Sequence, residues 1–275
     1  MRVNSGFDYR QNQTFCQKFL NLSLHEAKTD DPGLMRKYRV NSTSLEQLHA
    51  DLEACTRCPR LVAWREEVGR VKRAAYREQT YWAKPVPGFG DPSARILLLG
   101  LAPGAHGSNR TGRMFTGDSS GDFLFPALYR ASLASQAKAV SRDDGMRLHD
   151  LFITAAGRCA PPENKPTPEE LRTCRPWLET ELNFLPNLRV ILGIGRIGHE
   201  AWLEVCGLRK SAFEFGHGLE HQLPDGRVLL DSYHVSQQNT QTRRLTAAMF
   251  DAILTRAKVL ADQGQVKATE AEREK

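Results

Sequence analysis

The chain has 275 residues, of which 40% are hydrophobic and 25% charged, a composition typical of a soluble globular protein with a sizeable core. No apolar stretch approaches about 18 residues, and the N-terminus lacks an apolar signal segment, which predicts a cytoplasmic protein without a membrane partner. The net charge of +6 favours a polyanionic partner. Six cysteines in such a chain indicate metal or cluster ligation rather than disulfides.

The termini differ from the rest of the chain. Residues 1–43 lack clear periodicity and are interpreted as a loosely ordered extension with one short helix at 15–24, in which Cys16 is expected to be unligated. Residues 44–261 form the predicted domain. Residues 262–275 are charged and are predicted to be a frayed tail.

The domain is predicted to begin with a helix that is capped near Ser44. A basic, aromatic-rich stretch at 61–84 follows and is predicted to be helical. It is either a solvated helix with its aromatic side chains packed inward or a basic helix that contacts the phosphates of a bound nucleic acid. Residues 85–92 are interpreted as a turn-rich link.

Apolar runs with the length of buried strands alternate with helical segments through the rest of the domain. The strands are predicted at 96–99, 149–154, 189–195 and 217–234, the last range containing a strand, a Pro-Asp-Gly turn and the fourth core strand. Helices are predicted at 122–131, after Thr167, at 196–206 and from Leu245. This alternation predicts an α/β fold, a three-layer sandwich with a central, mostly parallel four-stranded sheet flanked by helices.

A glycine-rich loop at 100–118 follows the first core strand, at the sheet edge where ligands usually bind in such folds. Its glycines allow the backbone to approach a ligand closely. Asn109, Arg110 and Arg113 in this loop are suited to hydrogen-bonding anionic oxygens. The alternative interpretation of residues 100–118 is an ordinary long loop that connects a strand to a helix.

Four cysteines occur as two pairs. Cys55 and Cys58 are separated by two residues at a helix end, and Cys159 and Cys174 are separated by fourteen. Four thiolates are sufficient for a site that holds a metal ion or a cluster, although redox pairs share the first spacing.

Three motifs resemble those of the uracil-DNA glycosylase superfamily, and with the four cysteines they resemble its iron–sulfur branch, called family 5 or type B. They are GLAPGAHGSNRTGRMFTGD at 100–118, RCAPPENKPTPEE at 158–170 and HVSQQNTQTRRLT at 234–246. The resemblance implies a base-excision-repair enzyme that flips out uracil, releases it hydrolytically from DNA and leaves an abasic site. Hypoxanthine and xanthine are further candidate bases. It also implies one structural 4Fe-4S cluster held by Cys55, Cys58, Cys159 and Cys174.

The same resemblance implies roles for residues of the candidate pocket. Phe115 would stack on the extruded base, and the backbone of Ala102, Pro103 and Gly104 would contact its edge. His234 would stabilise the negative charge that develops on the leaving base. Asp118 would position or activate the water, with a helix N-cap as the alternative interpretation.

Ala155 occupies a position of the pocket where the resemblance implies an Asn that recognises the base, so base selectivity is expected to differ. The implied partner is DNA, double-stranded with a flipped nucleotide, bound by a monomer. The residues expected to contact it are Asn109, Arg110, Arg113, Ser236, Gln237, Gln238, Asn239, Arg243 and Arg244. The alternative function is a catalytically weakened or inactive protein that binds lesions or abasic DNA and retains the fold and cluster.

Overall fold

The structure is a computed structural model that describes residues 40–273, with side chains described for residues 40–263. The helix expected at 15–24 and Cys16 lie outside the described residues. Six strands form one sheet: β1 (Phe89–Gly90), β2 (Ile96–Gly100), β3 (Leu151–Ala155), β4 (Val190–Ile194), β5 (Glu220–Gln222) and β6 (Val228–Ser232). The α-helices of the described chain are α1 (Leu45–Glu53), α2 (Pro59–Val71), α3 (Ser108–Thr111), α4 (Ser119–Arg130), α5 (Pro168–Leu182), α6 (Arg196–Val205), α7 (Gln237–Gln241) and α8 (Ala247–Arg273).

The sheet has the order β1-β3-β2-β4-β6-β5. The four inner strands are mutually parallel, which confirms the predicted core, and an antiparallel strand lies at each edge. The edge strand β1 lies in the segment interpreted as a link. Because parallel strands share a direction, the carboxyl ends of β2, β3, β4 and β6 meet at one edge, where the predicted motifs begin.

Alternate residues of the strands face two separate cores, as in a three-layer sandwich. Leu98 of β2 belongs to the core under α4 and α8, whereas Leu97 and Leu99 belong to the core under α5 and α6. All residues of the four parallel strands are buried, which explains why the strands are largely apolar in sequence. In addition, α1 packs on α5 through Leu48 and Trp177.

Local signals explain several helix boundaries. The side chain of Thr167 accepts a hydrogen bond from the amide of Glu170, and the Glu170 carboxylate accepts from the amide of Thr167, which together form the predicted capping box of α5. In contrast, the helix predicted over 61–84 is wrong beyond Val71. Ala83 packs on α2 so closely that a Cβ at Gly69 would lie 2.7 Å from the Ala83 Cβ.

The C-terminal helix differs from the prediction as well. Helix α8 continues to Arg273, past Asp262, where the tail was expected to begin. Along residues 40–273, no helix combines the length and the apolar composition needed to cross a membrane.

A buried carboxylate joins four parts of the domain. Glu181 of α5 is 1% exposed and accepts hydrogen bonds from Arg158, from the Thr154 hydroxyl at 2.5 Å and from the Gly88 amide at 3.2 Å. His49 Nε2 of α1 lies 3.5 Å from Glu181 Oε1. Burial alone would raise the pKa of Glu181, but the Arg158 charge and these hydrogen bonds outweigh it and hold the pKa at about 2.

Candidate active site

The 100–118 loop is closed by its own hydrogen bonds. After β2 the chain turns back, so that the amide of Asn109 donates to the Gly104 carbonyl at 3.0 Å and the amide of Arg110 donates to the Gly107 carbonyl at 2.9 Å. The short helix α3 is followed by its C-cap Gly112, whose φ of 76° is the left-handed conformation that favours glycine. The loop is therefore a folded unit rather than an open connection.

Asp118 caps α4 and also faces the inside of the loop. Its Oδ1 accepts hydrogen bonds at 3.1 Å from the amides of Ser120 and Gly121. Its Oδ2 lies beside two loop glycines, because a Cβ at Gly104 would be 2.9 Å from it and a Cβ at Gly107 even closer. Burial raises the pKa of Asp118. One oxygen thus serves the helix, and the other is available to accept a proton from a water.

Phe115 has a left-handed backbone, with φ of 51°, which is rare for a bulky residue. Helix α4 approaches its carbonyl closely, since a Cβ at Gly121 would lie 1.9 Å from the Phe115 oxygen. The ring reaches the end of β2, where a Cβ at Gly100 would lie 2.9 Å from it, and its centroid is 6.3 Å from that of His234. The strained backbone therefore directs an aromatic ring toward the predicted histidine.

His234 lies just beyond β6, beside the end of β4. A Cβ at Gly195 would be 3.2 Å from the His234 Cβ, which is a tight approach, and the φ of 82° at Gly195 also favours glycine there. Burial lowers the pKa of His234 to about 4. The imidazole is consequently neutral near pH 7 and can donate one hydrogen bond without carrying a charge.

Below His234, strand β6 is fastened to α6 inside the sandwich. Asp231 is fully buried, and its Oδ1 lies 2.8 Å from His199 Nδ1. His199 Nε2 lies 3.1 Å from the Phe213 carbonyl, and His221 Nε2 lies 3.8 Å from Asp231 Oδ2. This set of donors and acceptors fixes the strand end from which His234 extends.

The remaining pocket residues contribute backbone and small side chains. Ala102 and Gly104 are partly exposed beside this edge, whereas Pro103 is buried. The amide of Gly157 donates to the Leu101 carbonyl at 2.8 Å, which holds the start of the loop against the end of β3. Ala155 is 1% exposed, so its position contributes a methyl group and no hydrogen-bonding side chain.

The three polar residues predicted to contact DNA from the 100–118 loop lie inside the protein, and that expectation is corrected. Arg113 is 4% exposed and makes a two-pronged ion pair with Asp144 at 2.7 Å. Arg110 donates to the carbonyls of His106 and Gly117 and to Gln79. Asn109 is completely buried. Their polar groups build the loop instead of reaching a ligand.

The 234–246 segment has the opposite character. Ser236 caps α7 by accepting from the amide of Asn239, while Gln237 and Gln238 are exposed. Asn239, which is also predicted to contact DNA, is partly buried, and its Nδ2 donates to the His234 carbonyl at 2.8 Å and so helps to position that residue.

Two arginines at the end of this segment are exposed. Arg243 has a left-handed backbone, with φ of 57°. The Arg244 guanidinium lies 4.6 Å from the ring centroid of Tyr233. Unlike the arginines of the 100–118 loop, both present their charge on a surface.

The structure brings the four predicted cysteine ligands together at one pocket. Cys58 precedes α2, Cys55 follows α1, Cys159 follows β3 and Cys174 lies in α5. They line one largely apolar pocket, and none of the four is in a disulfide.

The chemistry of these thiols fits a cationic centre. Burial raises the pKa of Cys58 to about 11, and Cys159 and Cys55 add to the rise. Burial also raises the pKa of Cys174 and of Cys159. Metals are bound by the deprotonated thiolate form of cysteine. The raised pKa values mean that these buried thiolates are costly to form unless a metal centre supplies positive charge. The donor set therefore fits an iron–sulfur cluster or another thiophilic metal centre.

Comparison with known proteins defines the family. The sequence model of the Uracil DNA glycosylase superfamily matches residues 87–258. The chain belongs to this superfamily. Among its relatives, the Type-5 uracil-DNA glycosylase of Thermus thermophilus is 63% identical over 210 residues, which cover 76% of this chain and 95% of the relative. The Type-5 uracil-DNA glycosylases of Mycobacterium tuberculosis and Pyrobaculum aerophilum are 49% and 43% identical, covering 79% and 74% of this chain and 82% and 87% of the relatives.

Sequence reasoning missed one buried residue of this superfamily member. Arg65 was predicted to lie in a basic helix that is either solvated or a surface for phosphates, but it is 3% exposed and its Nη1 donates to Cys159 Sγ at 3.0 Å. The signal was present in the spacing, because Leu61 and Val68 share its buried face of α2 and Cys58 lies two helical turns before it. The arginine faces the cysteine pocket rather than solvent.

Proposed function

We propose that this protein is a DNA glycosylase that hydrolytically releases uracil from DNA and leaves an abasic site. The observation that carries the proposal is the proximity of Phe115 to a neutral His234 at the carboxyl edge of the parallel sheet, with Asp118 on the same loop as Phe115. Phe115 and Asp118 come from the 100–118 loop, and His234 comes from the segment that follows β6. The names of the type-5 relatives agree with this chemistry.

Base binding requires the nucleotide to leave the helical stack. We propose that the flipped base stacks on Phe115, an interaction of about 1–3 kcal/mol. The backbone of Ala102, Pro103 and Gly104 provides polar groups for the base edge. Ala155 adds an apolar wall, so discrimination rests on shape and backbone contacts, and release of hypoxanthine or xanthine is compatible with the pocket.

The hydrolytic step needs groups for a leaving anion and for a water. As the bond between C1′ and the base nitrogen breaks, the electron pair goes to the base, and His234 donates a hydrogen bond to the oxygen that gains charge. A neutral donor is suited to this role because it stays a donor throughout the reaction. The water adds to C1′, and Asp118 Oδ2 accepts its proton.

DNA binding is assigned to the exposed side chains that follow His234. We propose that Gln237 and Gln238 meet the gap that the extruded base leaves in a duplex, and that Arg243 and Arg244 contact phosphates. The net charge of +6 favours such a partner. We further propose that the protein acts as a monomer in the cytoplasm.

The cysteine pocket is proposed to hold one 4Fe-4S cluster through Cys55, Cys58, Cys159 and Cys174. When bound, the cluster would join segments before β1, after β3 and within α5 and would supply no step of hydrolysis. Iron and sulfide analysis of anaerobically purified protein tests this assignment, and a colourless preparation without iron would refute it.

The activity is tested with duplexes that carry uracil, hypoxanthine, xanthine or a normal base, followed by alkaline cleavage. Strand breaks in the uracil duplex that disappear in His234→Ala are expected. Tight binding to uracil or abasic DNA without release by the wild-type protein would instead support the alternative, an inactive lesion-binding protein, for which the apolar Ala155 is the motivating observation.

A further inference from the structure

Arg65 is a buried cation whose partners are unusual. Its side chain is 4% exposed, and both Nη atoms donate to the Cys55 carbonyl at 3.2 Å while Nη1 also donates to Cys159 Sγ at 3.0 Å. The Glu66 carboxylate is 3.9 Å away, and that side chain is 60% exposed. A buried guanidinium is costly unless an opposite charge compensates it, and cysteine thiolates that hold a cluster would supply that charge beside Arg65.

The backbone of the same residue is joined to the substrate loop. Asn109 Nδ2 donates to the Arg65 carbonyl at 3.1 Å, and Asn109 is completely buried. The backbone amide of Asn109 donates a hydrogen bond to the Gly104 carbonyl, and the Asn109 carbonyl accepts one from the amide of Ala83. The loop that carries Phe115 and Asp118 is thus attached to α2 at the residue that contacts a cysteine ligand.

We propose that Arg65 and Asn109 are positioning residues that couple the cysteine site to the 100–118 loop. Arg65 supplies the positive charge and the hydrogen bond that retain a cluster at Cys159. Because Asn109 is hydrogen-bonded to the backbone of Arg65, it fixes the 100–118 loop relative to α2. The proposal rests on the cluster and on the loop's role in the proposed function. It assigns to Asn109 an internal task in place of the DNA contact expected from its motif.

The test compares Arg65→Met, Arg65→Lys, Asn109→Ala and the double variant Arg65→Met/Asn109→Ala with the wild type. Three quantities are measured: the rate of iron loss to a chelator, hydrogen exchange of peptides from 100–118, and kcat and KM on a uracil duplex. Arg70→Met is the matched control, since Arg70 lies on the same helix but pairs with Glu67 on the surface.

We expect Arg65→Met to lose iron faster than the wild type by about 10–100-fold, the factor by which removal of a hydrogen bond to a metal ligand typically lowers metal affinity. Its loop should also exchange severalfold faster, with Arg65→Lys intermediate. In Asn109→Ala the loop should exchange faster and kcat should fall, while KM and the rate of iron loss stay at wild-type values. The double variant should exchange no faster than Arg65→Met, because the two residues act in one connection.

Distinct results would overturn the inference. If both Arg65 variants lost iron at the wild-type rate, Arg65 would have no role in retaining the cluster. If the 100–118 loop of Asn109→Ala exchanged at the wild-type rate, Asn109 would not couple the loop to α2. If Arg65→Met does not fold, Arg65→Lys and Asn109→Ala decide the matter. A wild-type protein without iron refutes the cluster and this coupling together, whereas iron-loaded wild type with unchanged variants refutes the coupling alone.

Discussion

The 100–118 loop and the 234–246 segment leave the same edge of the sheet but use their polar residues in opposite ways. In the first, Arg110 and Arg113 are buried and bonded to carbonyls and to Asp144. In the second, Arg243 and Arg244 are exposed. The difference teaches that arginines in a glycine-rich loop can serve to shape that loop. The residues that an arginine contacts, and not its mere presence in the motif, show which of the two uses it has.

This division has a physical basis. The 100–118 loop must keep Phe115 in a left-handed conformation and hold Asp118 Oδ2 beside two glycines, and such a backbone persists only when surrounding contacts enforce it. The 234–246 segment has to position only His234, which Asn239 and Gly195 accomplish. Its other side chains are therefore available for a partner.

The largest expected effect tests whether the rigid loop carries the chemistry. Asp118→Asn should reduce kcat by about 10²–10⁴-fold, because it removes a general base, yet leave α4 intact, because Asn is an equally good N-cap. His234→Ala should reduce kcat by about 10²–10³-fold. Single-turnover assays on a uracil duplex measure both.

Asp122→Asn is the control for these variants, since Asp122 is an exposed acid in the first turn of the same helix. It should retain wild-type activity. If Asp118→Asn turned over at a near-normal rate, Asp118 would act only as the N-cap of α4 and not as a general base.

The second prediction concerns stability and separates the two kinds of arginine directly. Arg113→Met should lower the free energy of unfolding by about 3–5 kcal/mol, because it leaves the buried Asp144 carboxylate without its partner. Arg243→Gln should change it by no more than about 0.5 kcal/mol. Urea denaturation followed by circular dichroism measures both, and equal small changes would contradict the interior role of Arg113.

The third prediction uses pH to probe His234. Its folded pKa of about 4 is below the ordinary 6.5, so between these values the unfolded chain binds more protons than the folded one and stability falls as pH falls. At pH 5 the loss is about 2 kcal/mol relative to neutral pH. Denaturation at pH 7 and pH 5 should show this loss in the wild type and a smaller one in His234→Gln. The same loss in both proteins would place the histidine in a solvated environment.

The smallest effect tests the exposed segment. Arg243→Gln should weaken DNA binding modestly and lower the slope of log affinity against log salt by about one, as expected for one lost phosphate contact. Fluorescence anisotropy over a salt series measures the slope. Arg130→Gln is the control, since Arg130 is exposed at the other end of α4 and pairs with Asp251. An unchanged slope in Arg243→Gln would show that Arg243 does not contact a phosphate.

Much of the fold could be predicted because its signals are local. Strands buried on both faces read as continuous apolar runs, and the Thr167 capping box marks the start of α5. Strand β1 could not be predicted, because its two residues pair with β3 far along the chain. The end of α2 depends in the same way on the close packing of Ala83 against Gly69.

The candidate site shows the same limit. Phe115 and His234 lie close to each other, as motifs at one sheet edge predict. Whether an arginine is buried depends on a tertiary partner such as Asp144, which lies in a connection without any signal of its own. Arg65 is the converse case, where the helical spacing from Cys58 carried information that the basic character of the stretch concealed.

Glu181 has a consequence for the order in which the chain assembles. Its carboxylate is stabilised by Arg158, Thr154, Gly88 and His49, which lie 23 to 132 positions away along the sequence. Until those segments arrive, water solvates this charge better than the interior can, so α5 cannot close over the sheet at low cost before them. We therefore expect the docking of α1 and α5 to be a late and slow event in folding, governed by these non-local contacts.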